Sequence, residues 1–365
     1  MTAVRSLDDG HMARALELAR LGLATTDPNP RVGCVIAAGE RVIGEGWHRQ
    51  AGGPHAEVLA LEAAGAAARG ATAYVTLEPC SHHGRTPPCA DALVAAGVGR
   101  VVYAMRDPNP EVDGAGIARL AAAGIAVEGG VLEREALELN PGFVSRMTRG
   151  RPWVIVKLAA SLDGATALPG GESRWITGEA ARDDVQRLRA RASAVMTGSG
   201  TVIADDPRLD VRIPGTVRQP LRVVLDSKLR TPPGARILGP PGQALVLCSD
   251  EDPLRAASLR AAGAEVLAVG SSGGGVDLRA ALAALAARQV NELLVECGAG
   301  LAGALLSAGL ADELLLYIAP TLLGRGSRLL ADLEAPATLA GRLQFTIVER
   351  QDVGDDLLLR LRPRH

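Results

Sequence analysis

Aromatic residues are scarce in this chain of 365 residues: three Trp, three Tyr and two Phe, or 2% of the total. A core of ordinary size must therefore be assembled from Ala, Val, Leu and Ile, which favours closely packed helices and sheets. Cysteine is scarce too. Five residues, at 34, 80, 89, 248 and 297, are too few and too irregular for a disulfide framework, and their number suits a reducing cytoplasm. Neither sign of charge dominates: 39 basic against 41 acidic side chains leave −2. That near-balance provides no general field for nucleic acid, whose binding depends on phosphate contacts. Long apolar runs are missing as well. Cys297 to Ala311 is interrupted by glycine and too short for a bilayer. Met1 to Gly10 holds Arg5, Asp8 and Asp9 with no apolar core of signal-peptide length. The expectation is a protein of the cytoplasm with no membrane or nucleic-acid partner.

What is present has the size of two domains. Ser6-Leu7-Asp8-Asp9 reads as the cap of a first helix with Met12, Leu16, Ala19 and Leu23 on one face. Short strands are expected at 32–36, 42–47, 73–77, 101–105 and 125–128, with helices at 55–64 and 132–139. This alternation predicts helices covering a sheet. Asn140-Pro141-Gly142 breaks the last of these helices, and the polar stretch 148–152 precedes a new strand at 153–158. The boundary is placed there, giving domains 1–148 and 149–365. Further strands are expected at 194–197, 221–225, 244–248, 265–269 and 293–296. Three more, at 313–318, 344–349 and 356–361, close the chain without long helices between them, and 271–275 reads as a loop. Cys34, Cys248 and Cys297 lie in or beside apolar strands and read as small hydrophobes.

His55-Ala56-Glu57, then Pro79-Cys80, then Cys89 carry the most chemistry. Zinc takes imidazole and thiolate ligands, and a site with three protein ligands keeps a fourth position for water. The metal brings that water's pKa towards neutrality. Zinc nucleobase deaminases carry H-x-E…P-C-x-x-C, with Glu as acid/base and not as ligand. Here the second half is stretched to P-C-x8-C. His55, Cys80 and Cys89 are the candidate ligands, with each cysteine expected at a helix start, where the partial positive charge favours thiolate. Glu57 is the candidate proton carrier: one intervening residue turns it about 200° from His55 on a helix. The competing reading is a closed structural zinc site with His82 or His83 as fourth ligand, which would leave Glu57 without a task.

The stretched segment, Pro79-Cys80-Ser81-His82-His83-Gly84-Arg85-Thr86-Pro87-Pro88-Cys89, resembles the zinc segment of the bifunctional riboflavin-biosynthesis deaminase/reductase family. Asn29-Pro30-Arg31-Val32-Gly33 resembles that family's first loop. Lys157-Leu158-Ala159-Ala160-Ser161-Leu162-Asp163-Gly164 and Gly171-Glu172-Ser173-Arg174-Trp175-Ile176-Thr177 resemble its reductase half. The resemblance implies a cytidine-deaminase-like α/β/α domain followed by a dihydrofolate-reductase-like α/β domain. It further implies one zinc ion, NADPH, a phosphorylated pyrimidine substrate and a homo-oligomeric assembly. Asn29, His48, His82 and Arg85 become candidates for contact with the pyrimidine or its phosphate. Each has a blander reading, Asn29 as an Asn-Pro turn former and the others as surface residues. Asp107-Pro108-Asn109-Pro110 reads only as a turn.

Leu293 to Gly303 contains a strand, then Gly298-Ala299-Gly300-Leu301-Ala302-Gly303, then a helix. Such glycines let backbone N–H groups approach a pyrophosphate at a helix N-terminus. The motif comes late in its domain and lacks the acidic residue of a Rossmann unit, so the phosphate cradle is kept and the Rossmann fold rejected. By resemblance, Ala159, Trp175, Thr201, Asp205, Ser227 and Gly298 to Ala304 are expected to contact NADP. Ser173, Arg189, Leu209, Arg212 and Glu296 are expected to hold the substrate. Arg189 and Arg212 suit a bidentate phosphate clamp, although basic residues are plentiful enough for both to be solvated surface groups. Lys228 and Arg230 are candidates for the 2′-phosphate. Lys157, Asp163 and Glu296 are candidates for polarising the sugar-derived group or moving its protons, with a structural Lys157–Asp163 ion pair as the alternative. Two rivals remain at this point: a nucleoside or RNA-base deaminase with an accessory domain, and a nucleotide-sensing protein with structural zinc.

Overall fold

A computed structural model describes residues 2–81, 88–110, 112 and 114–364. The chain divides into two compact units, Met1–Gly150 and Arg151–His365. The first contains α1 (Thr2–Arg20), β1 (Gly33–Ala38), β2 (Arg41–Trp47), α2 (Ala56–Ala64), β3 (Thr72–Leu77) and α3 (Cys89–Ala96). It continues through β4 (Arg100–Met105), α4 (Ala115–Ala122), β5 (Ala126–Gly129), α5 (Glu133–Leu139) and α6 (Pro141–Arg149). The sheet order is β2-β1-β3-β4-β5. β1 runs antiparallel to both neighbours, and β3, β4 and β5 are parallel.

Successive side chains of a strand point to opposite faces, and β1 feeds two cores in this way. Val35 and Ala37 pack with Met12, Leu16 and Ala19 of α1 and with Leu139 and Phe143. Cys34 and Ile36 pack with Ala56 and Ala60 of α2, Leu93 of α3 and Leu120 of α4. The result is a three-layer α/β/α unit. The shortage of large side chains has a geometric counterpart where α2 crosses β2. A Cβ on Gly44 or Gly46 would lie 2.3 Å from the carbonyl of Ala60 or Ala56. Backbone contact there fixes the start of α2, and with it His55 and Glu57.

Three local expectations are corrected. Ser6 to Asp9 lies inside α1 and caps nothing; Asp8 is buried and accepts bonds from Tyr74 Oη and both terminal nitrogens of Arg100, all at 2.8 Å. Asn140-Pro141-Gly142 ends α5 but also starts α6, because proline fits the first helical position, where no N–H is needed. The segment 271–275 takes part in a small hairpin, with Ser271 paired to Val276 and Ser272 to Gly275 around Gly273 and Gly274 at positive φ.

The second unit begins with β6 (Trp153–Ser161), β7 (Ala165–Ala167), α7 (Glu179–Arg191), β8 (Ala194–Gly198) and α8 (Ser199–Asp205). It continues with β9 (Leu221–Leu225), β10 (Ala244–Cys248), α9 (Pro253–Ala261), β11 (Ala264–Ala268) and the hairpin strands β12 (Ser271–Ser272) and β13 (Gly275–Val276). Then come α10 (Leu278–Ala287), β14 (Glu292–Glu296), α11 (Ala299–Ser307), β15 (Glu313–Ala319), β16 (Arg328–Leu329), β17 (Phe345–Val353) and β18 (Asp356–Pro363). Nine strands form one sheet in the order β11-β10-β9-β8-β14-β6-β15-β18-β17. It is parallel from β11 to β15, and β18 is antiparallel to both of its neighbours. This mixed sheet has the dihydrofolate-reductase-like form. Among the described residues no helix is long and apolar enough to cross a membrane.

Gly33 provides a test of the packing. A Cβ there would lie 2.0 Å from the Ala15 carbonyl of α1, so Gly33→Ala must push helix and strand apart. Overpacking of this kind costs about 1–3 kcal/mol. The expected outcome is a thermal transition of the first unit lowered by several degrees, measured by calorimetry. An unchanged transition would contradict the close approach.

Candidate active sites

In the first unit, three segments meet at the end of β3. His55 is the residue preceding α2, not part of its first turn, and has extended backbone angles. Cys80 follows β3 in a loop rather than opening a helix, and Cys89 is the first residue of α3. His55 Nδ1 lies 3.0 Å from Cys89 Sγ and 3.7 Å from Cys80 Sγ. The three candidate ligand atoms all lie within 4.8 Å of one another. Tetrahedral zinc with ordinary N and S bond lengths separates such atoms by about 3.6 Å, so the donor set fits zinc with little movement. The Cys80 thiol is pulled down to about 4 by hydrogen bonds from Cys89 and then from His55, against the effect of burial. Beside that thiolate the Cys89 thiol is pushed up; a shared cation would let both sulfurs carry charge.

Glu57 is buried, and its carboxyl is pushed up to about 7, first by burial and then by the charge on Cys80. His55 and a hydrogen bond with Cys89 oppose that rise. A buried carboxyl beside a metal site, and not itself among the candidate ligands, suits general acid–base catalysis.

The rest of this wall is held by bonds that the sequence did not announce. Asn29 Nδ2 lies 3.0 Å from His48 Nε2, and His48 Nδ1 lies 3.0 Å from the Pro54 carbonyl. The His48 ring meets that of His55 edge-on, with centroids 5.5 Å apart. His48 is therefore buried, not a surface residue, and burial pulls its pKa down. Asn140 accepts from Arg31 N at 2.8 Å and donates to Arg31 O at 2.9 Å, tying Asn29's loop to the α5–α6 junction. Glu78, also buried, accepts from the N–H groups of Asp107, Gly114 and Ile117. The Asp107 end of the 107–110 turn is thus tied to Glu78, two residues before Cys80. The Glu-Pro-Cys sequence offers the one hint, a carboxylate beside a candidate ligand. The expected contacts His82 and Arg85, with His83, fall outside the described residues.

In the second unit, the expected substrate residues gather at the end of β14. Arg189 donates to both Glu296 carboxylate oxygens, at 2.6 and 3.0 Å, and to the Asp210 carbonyl at 3.1 Å. Asp210 in turn takes Arg212 and Arg208, each at 2.7 Å. The two arginines of the expected clamp therefore differ in their surroundings. Arg189 is buried, so its guanidinium must be paired within the protein, whereas Arg212 is 54% exposed and stands with Arg208. Leu209 is buried beside them with φ of +53°. Lys157 is the register partner of Glu296 and lies 5.6 Å from the Tyr317 ring centroid. Burial pulls the Lys157 ammonium down, and Glu296 counters this. Burial works against the Glu296 carboxylate as well, but Arg189 and Lys157 outweigh it and hold the group below its ordinary range.

Asp163 joins neither group. It accepts from Ser161 Oγ at 2.5 Å, Gly324 N at 2.8 Å and Leu323 N at 3.2 Å. This is a loop clasp, and among the described residues no ion pair joins Asp163 to Lys157. Trp175 is 71% exposed, with Arg182 stacked 4.6 Å from its ring centroid, and Ser173 is half-buried.

Three of the twelve expected NADP residues border a cavity of about 480 Å³. Ser227, Leu301 and Ala304 line it, together with Gly198 to Gly200 and the β12–β13 hairpin. Gly298 precedes α11, and a Cβ there would be 3.9 Å from Thr201 Oγ1. No atom lies within 4 Å of a Cβ built on Gly300, so this helix start is open to a ligand. Ala302 and Gly303 face inward: a Cβ on Gly303 would come 1.9 Å from the Asp332 carbonyl. These features fit a dinucleotide phosphate over Gly298 to Gly300. Ala159 lies on β6 opposite Tyr317, and the Asp205 carbonyl accepts from Arg174 at 2.7 Å. Arg230 reaches Ser199 Oγ on the cavity wall at 3.3 Å, whereas the exposed Lys228 is not on that wall.

Comparison with known proteins accounts for both halves. Residues 5–105 match the cytidine and deoxycytidylate deaminase zinc-binding region, and residues 152–359 match the RibD C-terminal domain. The riboflavin biosynthesis protein RibD of Escherichia coli (strain K12) is 50% identical over 97% of this chain and 99% of its own. This chain belongs to the RibD family. The Haemophilus influenzae RibD is 44% identical over the full length of both chains. Among solved structures, an Acinetobacter baumannii RibD superposes with a TM-score of 0.92 at 46% identity, covering 99% of this chain and 100% of that one. A Thermotoga maritima diaminohydroxyphosphoribosylaminopyrimidine deaminase/5-amino-6-(5-phosphoribosylamino)uracil reductase gives 0.86 at 34% identity, covering 99% of each. The chain is thus an enzyme with a zinc-binding deaminase domain and a RibD-type reductase domain, in the riboflavin pathway.

Two outcomes test the reductase half of this RibD chain. Glu296→Leu leaves the Arg189 guanidinium buried without its carboxylate, which costs about 3–5 kcal/mol; urea unfolding should show the second unit destabilised and the first unaffected. The Asp163 carboxyl is held down to about 2 from an ordinary 3.8, so its contribution to stability is complete above about pH 4 and disappears as pH falls towards 2. Thermal unfolding across that window should show an acid-side loss that is smaller in Asp163→Asn.

Proposed function

We propose that residues 1–148 hydrolytically deaminate 2,5-diamino-6-(5-phosphoribosylamino)pyrimidin-4(3H)-one, and that residues 149–365 then reduce the ribosyl chain of the product to ribityl with NADPH. The observation that carries the first step is geometric: the buried Glu57 carboxyl stands beside His55, Cys80 and Cys89, whose candidate ligand atoms all lie within 4.8 Å of one another. His55, Cys80 and Cys89 would hold zinc, which supplies a Lewis acid that lowers the pKa of water. Glu57 takes a proton from the attacking water as the new C–O bond forms. It delivers that proton to the ring nitrogen, then takes the remaining proton of the added hydroxyl and passes it to the amine as the carbonyl forms, the C–N bond breaks and ammonia leaves. Asn29 and His48 form one wall for the ring; His82 and Arg85 retain the substrate-contact role that the family resemblance gives them.

For the reduction, NADPH supplies the hydride, and the protein supplies orientation and charge. Gly298 to Gly300 would receive the pyrophosphate, while Ser227, Leu301 and Ala304 line the adjoining cavity. Arg212 stands beside Arg208 at Asp210, and this exposed pair, rather than Arg189, suits the substrate phosphate. Lys157, held near Glu296 in a buried setting, is the candidate proton donor to the reduced group. Self-association is proposed on the same family resemblance. The rival accessory-domain deaminase and zinc sensor lose their footing, since both halves match one bifunctional family over the full chain.

Incubation of the purified protein with the diaminopyrimidine phosphate should replace one NH by O without cofactor, and add two hydrogens once NADPH is present, as read by mass analysis. Glu57→Gln should retain zinc and lower kcat for ammonia release by roughly 10²–10⁴. Arg212→Ala should raise the KM of the reductase for the deaminated product and leave deamination unchanged. Zinc loss in Glu57→Gln, or an unaltered KM in Arg212→Ala, would contradict the respective roles.

A further inference from the structure

Lys157 and Lys228 are the only lysines among the 39 basic side chains of this chain. A guanidinium keeps its charge at any ordinary pH, whereas an ammonium can give up a proton. Lys228 is exposed, and Lys157 is half-buried on β6. Among the described residues the Lys157 ammonium makes no hydrogen bond and no ion pair. Glu296 is its register partner, but Arg189 already takes both oxygens of that carboxylate. What stands against the ammonium is a ring. Leu315 of β15 pairs with Lys157, and Tyr317 with Ala159, so Tyr317 lies diagonally across the same face of the sheet. Its ring centroid is 5.6 Å from Lys157 Nζ, and a cation that close to a desolvated aromatic face is attracted by its quadrupole.

The ring itself is fixed from outside the sheet. Tyr317 is fully buried, and its hydroxyl donates to Asp184 Oδ2 at 2.5 Å. Burial and then Asp184 push the phenol pKa up, so the hydroxyl keeps its proton. Asp184 is on α7, which also carries Arg189. One helix therefore holds both groups that flank Lys157: Glu296 through Arg189, and Tyr317 through Asp184.

We propose that Tyr317 is a positioning residue for the reduction: its ring, pinned to α7 by Asp184, seats the Lys157 ammonium and leaves its N–H donors for the substrate. This rests on the reading of Lys157 as proton donor. The charged and titratable groups facing that ammonium are Tyr317 of β15, Glu296 of β14, Cys297 after it and Arg189 of α7. Burial opposes the charged form most, Glu296 and Cys297 favour it, and Arg189 opposes it. The ring favours it too, so removal of the ring must lower the pH at which Lys157 loses its proton.

Lysine labelled with ¹³C at Cε should give two signals in the full-length protein, with Lys157→Met assigning the half-buried one. In the wild type the Lys157 Cε protons should be displaced upfield by the ring current. Tyr317→Leu should abolish that displacement and move the Lys157 titration down by about one pH unit. It should also lower reductase kcat by roughly 10–10², with the alkaline limb of kcat shifted to lower pH and deamination by the same chain unchanged. Tyr317→Phe keeps the ring and should stay close to wild type in all three respects. Equal losses in the Phe and Leu variants, or an unmoved titration in Tyr317→Leu, would be the mark of packing alone and would overturn the proposal. If Tyr317→Leu does not fold, the wild type and Tyr317→Phe decide it: a missing upfield displacement in either contradicts the seat. Unaltered reductase kcat in Lys157→Met would overturn the proposal through the reading it rests on, and the titration, recorded without substrate, tells that failure apart from a failure of the ring.

Discussion

The first unit depends on three ligand-bearing segments being delivered to the same end of β3. None could do so alone. His55 arrives because α2 lies directly on Gly44 and Gly46 of β2. Cys80 arrives because β3 ends two residues before Pro79 and Glu78 holds the neighbouring loop. Cys89 arrives as the opening residue of α3. A metal ion joins these ends by bonds that no apolar contact could replace. Burial and the charge on Cys80 raise the proton affinity of Glu57 at the same place, against the effect of His55. Ligation and acid–base chemistry therefore arise from one packing arrangement, in which small residues stand where larger ones would hold helix and sheet apart.

The second unit solves a different problem. Its sheet brings the half-buried Lys157 and Glu296 beside the buried Arg189, and a buried charge costs stability unless it is paired. Arg189 meets that requirement by gripping Glu296 with both arms of its guanidinium. The exposed Arg212 and Arg208 share Asp210 and are free of the burial constraint. Interior arginine and surface arginines thus divide the labour: one fixes the carboxylate, and the others face the solvent from which a phosphate would come. Close packing of Gly303 on Asp332 seats α11 so that Leu301 and Ala304 line the cavity.

Much of this was legible in the sequence. The alternation along Cys34 to Ala37 and the runs at 73–77 and 293–296 announce strands with local side-chain patterns. The zinc segment announces itself by residue type and spacing, and the RibD resemblance by motif order. What was not legible depends on partners remote in sequence. Asp8 looks like a helix cap until Arg100 and Tyr74 are brought to it. Arg189 looks like one of many helix arginines until β14 places Glu296 against it. Asn140-Pro141 reads as a break because proline stops one helix, although it equally starts another. Ser271 to Val276 forms strands with almost no side-chain pattern, since backbone pairing and two left-handed glycines do the whole work. His48 and Glu78, which shape the deaminase wall, are single polar residues whose burial no local pattern predicts.

The central claim is a metal held by one imidazole and two sulfurs with a position left for water. Zinc-edge X-ray absorption of the purified enzyme tests it most directly. The account predicts one zinc per chain, two sulfur scatterers at about 2.3 Å and two light scatterers at about 2.0–2.1 Å, one of them carrying the multiple-scattering signature of imidazole. A second imidazole closing the shell, a different sulfur count, or protein that binds no zinc would contradict it.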